Sequence, residues 1–353
     1  MNTLDLLFFA GRPFGPLYSA IQTVRAGMYR KSILKSFAVD VPVISVGNLT
    51  MGGTGKTPMV LMLAQTLYDQ GFRPAIVSRG YGGTARNNVN IVSDGSAILL
   101  PPLEAGDEPY LLASMLPSTP VLTGKKRILP CRHAVDHFDV DIIILDDGFQ
   151  HLSMRRDINI VLFNATTLAG NSRVFPGGDL REPVNALHRA DIFVLTGITS
   201  ENNTRAHSFQ QLLEQRFPDT PVCLSRYSEP FVFDLQNKKV DRESLPLPVL
   251  AFSGIANPQR FYDSLENCDI HPVERICLKD HALYTNKEKA QINRAIEGSG
   301  AVAAITTLKD RVKLNENDFS VPLYYLSHET SISEPLTDFI LSRLETFLHR
   351  ESS

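Results

Sequence analysis

The sequence predicts an α/β protein: a doubly wound, mostly parallel sheet with a second, smaller α/β domain joined to it by a hairpin linker. Three observations carry that expectation. Short runs rich in Val and Ile recur between helical stretches after Asp40. Most of these runs are continuously apolar, as strands covered on both faces are. A Pro-marked segment at 229–248 then separates a long first series from a shorter second one. The length, 353 residues, suits about two domains of roughly 150 residues each.

Composition narrows the class. With 43% hydrophobic residues the chain can bury a sizeable core, and 21% charged residues with a net charge of −3 exclude a disordered acidic chain or a chain-wide nucleic-acid binder. Cys131, Cys223, Cys268 and Cys277 form no CxxC and no metal-ligand spacing, which fits a reducing, intracellular compartment. No apolar run approaches the roughly 20 residues that span a bilayer. No small-residue cleavage site follows the short N-terminal apolar stretch, so it does not read as a secretory signal.

Taken in order, residues 1–40 form a basic amphipathic segment. Arg12, Arg25, Arg30, Lys31 and Lys35 face Asp5 alone within the first 38 residues, a surplus of four positive charges. Phe14, Leu17, Tyr18, Ile21, Val24 and Met28 recur there at helical spacing behind Leu6–Phe9. Such a helix lies on an anionic membrane or packs on the protein's own core; the pattern leaves both open.

Residues 41–228 read as the larger domain, with strands expected at Val41–Val46, Ala75–Ser78, Pro120–Thr123, Asp141–Leu145, Ile158–Phe163 and Ile192–Thr196. A helix over 57–70 places Val60, Leu63, Ala64 and Leu67 on one face and stops at Gly71, with Pro74 beyond. Phe231–Val240 reads as a hairpin inside the linker. Residues 249–353 form the smaller domain: strands at Val249–Ser253, Arg275–Leu278 and Ala301–Thr307, a helix opening at Asn257-Pro258, another opening on the capping box Thr285…Glu288, and a last helix over 333–349 that can pack on either domain.

The strongest chemical signal is strand, glycine loop, helix: Val43-Ile-Ser-Val-Gly-Asn-Leu-Thr-Met-Gly-Gly-Thr-Gly-Lys-Thr-Pro58. Backbone N–H groups of such a loop surround phosphates, and glycine lets the chain approach them without a Cβ clash. The candidate nucleotide-binding residues are Thr50, Met51, Gly52, Gly53, Thr54, Gly55, Lys56 and Thr57. Lys56 would reach the β- and γ-phosphates and Thr57 would hold Mg²⁺. Thr50 stands where the usual first glycine would be. The acidic half of such a site is Asp146-Asp147, directly after an apolar strand; one carboxylate would hold Mg²⁺ and the other a second metal or the loop itself. No guanine-reading motif is present, which favours ATP.

Further segments extend the pattern: Ser78-Arg-Gly-Tyr-Gly-Gly83, Gly106-Asp-Glu-Pro109, Asp146-Asp-Gly-Phe-Gln-His151, Arg173 with Leu180-Arg-Glu-Pro183, Phe252-Ser-Gly-Ile-Ala256 and Thr306–Leu314. With the glycine loop, from about residue 10 to 314, they resemble the tetraacyldisaccharide 4′-kinase (lipid A 4′-kinase) family. The resemblance implies transfer of the ATP γ-phosphate to the 4′-hydroxyl of a tetraacylated glucosamine disaccharide 1-phosphate, with Mg²⁺, at the cytoplasmic face of an anionic inner membrane and with no nucleic acid involved. It assigns Asp107 as the base, His281 as the partner that orients it, and Glu182 as an acidic residue near the metal. The family pattern has two consecutive histidines where this chain has His281-Ala282.

Without the resemblance, Asp107 reads as a helix N-cap before Tyr110–Leu116, and His281 as an ordinary loop histidine. Arg79, Lys125, Lys126, Arg127 and Arg173 are basic residues that could contact phosphates or simply face water. Two other classes share the loop signature: a P-loop regulatory ATPase or metallochaperone, and a nucleotide-dependent membrane adaptor. Both would leave no phosphorylated lipid. The scarcity of clustered Cys and His argues against metal delivery.

Overall fold

A computed structural model describes the backbone of residues 3–331 and 334–351, so residues 1–2 of the N-terminal segment, residue 333 of the expected last helix and residues 352–353 lie outside the described residues. Two helices, α1 (Thr3–Gly11) and α2 (Gly15–Arg30), precede β1 (Val43–Asn48), α3 (Lys56–Asp69), β2 (Pro74–Ser78) and β3 (Asn90–Asp94). Next come α4 (Pro102–Ala105), α5 (Asp107–Met115), β4 (Pro120–Thr123), α6 (Ile128–His137), β5 (Ile142–Asp146), β6 (Ile158–Asn164), β7 (Ile192–Ile198), α7 (Asn203–Arg216) and β8 (Val222–Phe233). The C-terminal third adds β9 (Lys239–Val240), β10 (Val249–Ser253), α8 (Pro258–Asn267), β11 (Glu274–Cys277), α9 (Asn286–Ser299), β12 (Ala303–Thr307), α10 (Leu308–Arg311), β13 (Leu323–Ser331) and α11 (Glu334–Glu351).

One sheet of 13 strands runs through both halves in the order β11-β10-β12-β13-β8-β7-β6-β1-β5-β2-β4-β3, with β9 paired to β8 beside that path. Parallel pairing of β1 with β5 (Val46 opposite Asp146) and of β5 with β2 (Leu145 opposite Val77) opens the loops after Asn48, Asp146 and Ser78 at one sheet edge. Ligands of open α/β sheets bind at that carboxyl edge.

The apolar runs are buried for the expected reason. Alternate residues of β1 point to opposite faces: Ile44 and Val46 meet Met59, Leu63 and Leu67 of α3, whereas Val43 packs with Cys131 and Ala134 of α6. Strand β10 repeats the scheme, Leu250 and Phe252 against Ile292 and Ile296 of α9, Val249 and Ala251 against Phe261 and Leu265 of α8. Each such Leu or Ile contributes about 1.5–3 kcal/mol on burial. The capping box of α9 forms as read, and the hairpin pairs Val232 with Val240.

Several elements differ from the sequence reading. Strand β1 starts two residues later than expected, after Pro42, which has no N–H to give a ladder. The 12-residue β8 and the 9-residue β13 go unannounced by composition. They couple the halves: β8 runs parallel to β7 near Val222–Leu224 and antiparallel to β13 near Val232. Helix α11 returns to the first half, where Leu336, Ile340 and Leu344 join the core of β1 and α3.

Much of the N-terminal stripe is open to solvent. Leu17, Ile21 and Val24 of α2 are 62%, 56% and 62% exposed, with Leu6, Leu7, Phe9 and Phe14 similarly open. The other side is fixed to the 174–181 loop, where Tyr18 stacks edge-on against Phe175 and Gly11 lies so close to Pro176 that a Cβ would collide. No helix among the described residues is long and apolar enough to cross a membrane.

Candidate active site

The glycine loop leaves β1 and enters α3 through Gly55, whose φ of 78° is a conformation that glycine adopts without strain. Around it, the backbone is tied from outside. Met51 N–H donates to Asp179 O (2.7 Å), Asn48 Nδ2 to Thr50 O (2.6 Å), and Thr196 Oγ1 to Thr54 O (2.9 Å). Thr50 is buried and pairs as a bridge with Leu180, so the position of the missing first glycine belongs to a strand-like contact and not to the phosphate curve. Gly52, Gly53, Thr54, Gly55, Lys56 and Thr57 line a cleft of about 2300 Å³, together with Asp146 and Asp147. Lys56 Nζ donates to Asn48 Oδ1 at 3.1 Å and lies 3.6 Å from Asp147.

The two aspartates have opposite environments. Asp147, in a left-handed conformation (φ 54°), accepts from Arg181 Nη1 on both oxygens at 2.9 Å. Its burial favours the neutral acid, but Lys56 and Arg181 outweigh it and hold the pKa below the usual carboxylate range. Asp146 is fully buried; Ser78 Oγ donates to its Oδ2 at 3.2 Å, and its Oδ1 has no partner. Burial, then the charges of Glu108 and Asp147, push its pKa up to about 7. A buried carboxylate oxygen facing a phosphate loop, with no cation of its own, fits a divalent metal. No cluster of three or more His, Cys, Asp or Glu forms a metal site among the described residues. Mg²⁺ takes one or two carboxylates and fills its remaining positions with phosphate and water.

On the other wall, His281 Nδ1 lies 2.8 Å from Asp107 Oδ2, across 174 residues of sequence. An ionised carboxylate only accepts, so Nδ1 carries the hydrogen; Lys309 Nζ, 3.4 Å from Nε2, leaves that nitrogen as acceptor. His281 is held at φ 59° by its N–H to Gly254 O (3.0 Å). Asp107 is not the N-cap that the sequence suggests. Gly106 takes that position, at φ 91° and pressed against Tyr81 O, and Asp107 becomes the first helical residue with its carboxylate turned to the cleft. Ala282, where the family pattern has a second histidine, is buried beside Gly254.

Not every expected residue joins this cleft. Glu182 is buried and pairs with Arg189 Nη2 at 2.7 Å, away from the cleft lining. Arg127 is 4% exposed and bonds Gly124 O and Lys125 O; burial lowers its pKa. Arg79 lines the cleft, and Arg173 does not. The sequence reading gave no role to Arg181, Ser78, Asn48 or Lys313, the last of which lies 2.7 Å from Asp107 Oδ2. Arg181, Ser78 and Lys313 are single polar residues whose partners are remote in sequence, so no local spacing marks them; Asn48 bonds within its own loop, to Thr50 and Lys56.

A parallel sheet with a glycine loop, a lysine on that loop and a buried carboxylate at the next strand end defines a P-loop nucleotide-handling enzyme. An aspartate–histidine pair stands on the facing wall. The chain belongs to the tetraacyldisaccharide-1-phosphate 4′-kinase family, whose sequence model matches residues 7–345. It is 44% identical over 347 residues to the tetraacyldisaccharide 4′-kinase of Desulfotalea psychrophila, covering 98% of this chain and 99% of that one. It is 40% identical over 331 residues to that of Syntrophus aciditrophicus, with 90% and 88% covered. The crystal structure of LpxK from Aquifex aeolicus in complex with ATP superimposes with a TM-score of 0.76 at 31% identity, covering 94% of this chain and 98% of that one.

Proposed function

We propose that the cleft transfers the γ-phosphate of ATP to the 4′-hydroxyl of a tetraacyldisaccharide 1-phosphate, and that Asp107, Lys56 and His281 carry the chemistry. The protein is an ATP-dependent lipid kinase of the lipid A pathway. The observation that supports the site assignment most is the Asp107–His281 pair facing the loop that carries Lys56. Gly52–Thr57 cradle the phosphates, and Lys56 offsets charge on the β- and γ-oxygens. Mg²⁺ held by Asp146 and Thr57 would neutralise further charge on the transferring group. Arg181 and Lys56 fix Asp147, which keeps the loop after β5 in place. Asp107 accepts the hydroxyl proton, and His281 sets its orientation. Glu182 is not carried into this reading, because its carboxylate faces Arg189.

Residues 1–40 serve as the membrane contact, 41–228 together with the returning helix α11 as the P-loop core, and the rest of 249–353 as the smaller unit hinged through 229–248. The exposed stripe of α2 beside Arg12, Arg25 and Arg30 supports docking on the anionic cytoplasmic face of the inner membrane, from which an acylated substrate is drawn.

The test is transfer of label from γ-labelled ATP to tetraacyldisaccharide 1-phosphate in detergent micelles, with Lys56→Ala and Asp107→Ala beside the wild type. Labelled lipid from the wild type alone supports the kinase and its base together. Label lost only in Lys56→Ala keeps the kinase and removes Asp107 from the chemistry. ATP binding with no labelled lipid points to the regulatory ATPase.

A further inference from the structure

We infer that Lys313 is a positioning residue for the base: its ammonium fixes the Asp107 carboxylate through Oδ2 and leaves Oδ1 to take the hydroxyl proton. This rests on the kinase reading above. Lys313 Nζ lies 2.7 Å from Asp107 Oδ2, and His281 Nδ1 lies 2.8 Å from that same oxygen. Among the described residues no donor is bonded to Oδ1. The Lys313 side chain is only 4% exposed, a burial that lysine rarely tolerates without an anion in contact. Its second bond, to Ala282 O at 3.0 Å, ties the ammonium to the loop that carries His281.

The lysine is itself held by a buried frame. Its backbone N–H donates to Asp310 O at 3.1 Å. The Asp310 carboxylate, fully buried, accepts from Gly254 N–H (3.0 Å) and Thr307 Oγ1 (2.7 Å). Gly254 in turn receives the His281 N–H. Asp310 and Gly254 thus place both hydrogen-bonding partners of Asp107 from one anchor, as supporting contacts do around other catalytic groups.

The electrostatic need is clear from the surroundings. Glu108 adjoins Asp107 on α5, Asp280 lies 3.9 Å from His281 Nε2, and Asp146 and Asp147 stand across the cleft where a triphosphate would add more negative charge. Lys309, Lys56 and Arg79 also face the cleft, with Tyr81 beside Gly106. Negative neighbours favour the protonated acid, which cannot accept a proton. Burial pushes Asp107 the same way, yet bonds from Lys313 and His281 leave its pKa below the ordinary value. Lys313 is the partner whose removal would let the carboxylate protonate nearer neutrality and swing off line.

The experiment compares pH profiles of lipid phosphorylation for wild type, Lys313→Met, Lys313→Arg, Asp107→Asn and the double variant Asp107→Asn/Lys313→Met. Lys313→Met should lose about a hundredfold in kcat near neutral pH, with KM for ATP nearly unchanged and the acid limb moved up by about one pH unit. Lys313→Arg should recover part of the rate. The double variant should be no slower than Asp107→Asn alone. An unmoved acid limb, or losses that multiply in the double variant, overturns the proposal. In parallel, carbon-13 NMR of aspartate-labelled protein follows the Asp107 carboxyl, assigned by its loss in Asp107→Asn. It should titrate at higher pH in Lys313→Met, or in Lys313→Gln if the Met variant does not fold, and stay nearer the wild-type value in Lys313→Arg; no change in the neutral variants overturns the contact whether or not the protein phosphorylates lipid. Absence of labelled lipid from the wild type sinks the kinase reading by itself, and the carboxyl titration then decides Lys313 alone.

Discussion

Replacing Arg181 by Met tests whether the pair around Asp147 sets the availability of Lys56. In the wild type, Asp147 receives Arg181 on both oxygens at 2.9 Å, and Lys56 stands off at 3.6 Å. Both members of the Arg181 pair are about a third exposed, at 27% and 35%, so solvent screens the contact and its net worth is about 1–2 kcal/mol and not the buried-pair figure. With Arg181 gone, the carboxylate has only Lys56 left to satisfy it. The lysine must then be drawn from Asp147 before it can meet phosphate, and about 1.4 kcal/mol of added competition is a tenfold loss of affinity. Arg181→Met should therefore raise the ATP dissociation constant about tenfold. Arg181→Lys, which keeps the charge, should fall between the two. Isothermal titration with ATP at fixed Mg²⁺ measures this, and melting curves check that the fold survives. ATP binding that is unchanged or tighter in Arg181→Met would refute the reasoning, because Lys56 would then not be shared between Asp147 and the nucleotide.

Three other outcomes follow from the geometry. Asp146→Asn should raise the Mg²⁺ concentration for half-maximal transfer by about tenfold or more without weakening metal-free ATP binding; an unchanged Mg²⁺ curve would remove Asp146 from the metal. Ile21→Ser with Val24→Ser should weaken binding to anionic vesicles at least about tenfold, since each side chain contributes roughly 1.5–3 kcal/mol when buried, and should leave the melting temperature alone because both are exposed. A lowered melting temperature with unchanged vesicle binding would make that face part of the core. Gly106→Ala forces a side chain into φ 91° with its Cβ 2.6 Å from Tyr81 O, a strain of about 1–3 kcal/mol. It should lower both stability and kcat while sparing ATP binding; a fully active, stable Gly106→Ala would show that the start of α5 does not aim Asp107.

What could be read from the sequence was whatever is local. The loop at 52–57 announces itself because close approach of backbone to phosphate demands glycines at short spacing, and β1, β2, β5, β6 and β7 because strands covered on both faces cannot alternate. Asp146-Asp147 follows from its place at a strand end. That the apolar stripe of α2 is exposed needed the structure, since such a stripe does not say what it faces. Strand β13 was hidden because Ser327 and His328 interrupt its apolar run, and its antiparallel partner lies near residue 231. The Asp107–His281 contact was available only through family resemblance, because 174 residues separate its members. Lys313 and Arg181 stood within quoted motifs without a role: a lone cation in a loop gains meaning only from the carboxylate that the fold brings to it. Glu182 shows the converse, an acidic residue in a motif whose fold-given partner is Arg189.

The return of α11 to the first core bears on how the chain comes off the ribosome. Leu336, Ile340 and Leu344 cover Ile44, Val46 and the inner face of α3, which are made almost 300 residues earlier. At typical elongation rates of about 5–20 residues per second, that patch waits on the order of half a minute for its cover. During the same interval the far end of β8 lacks β13, leaving an unpaired strand edge of the kind that sticks to other chains. The nascent chain thus cannot finish its nucleotide-binding half first and add the rest afterwards. Completion waits for the last helix, and a chain broken off before residue 334 would carry an open core.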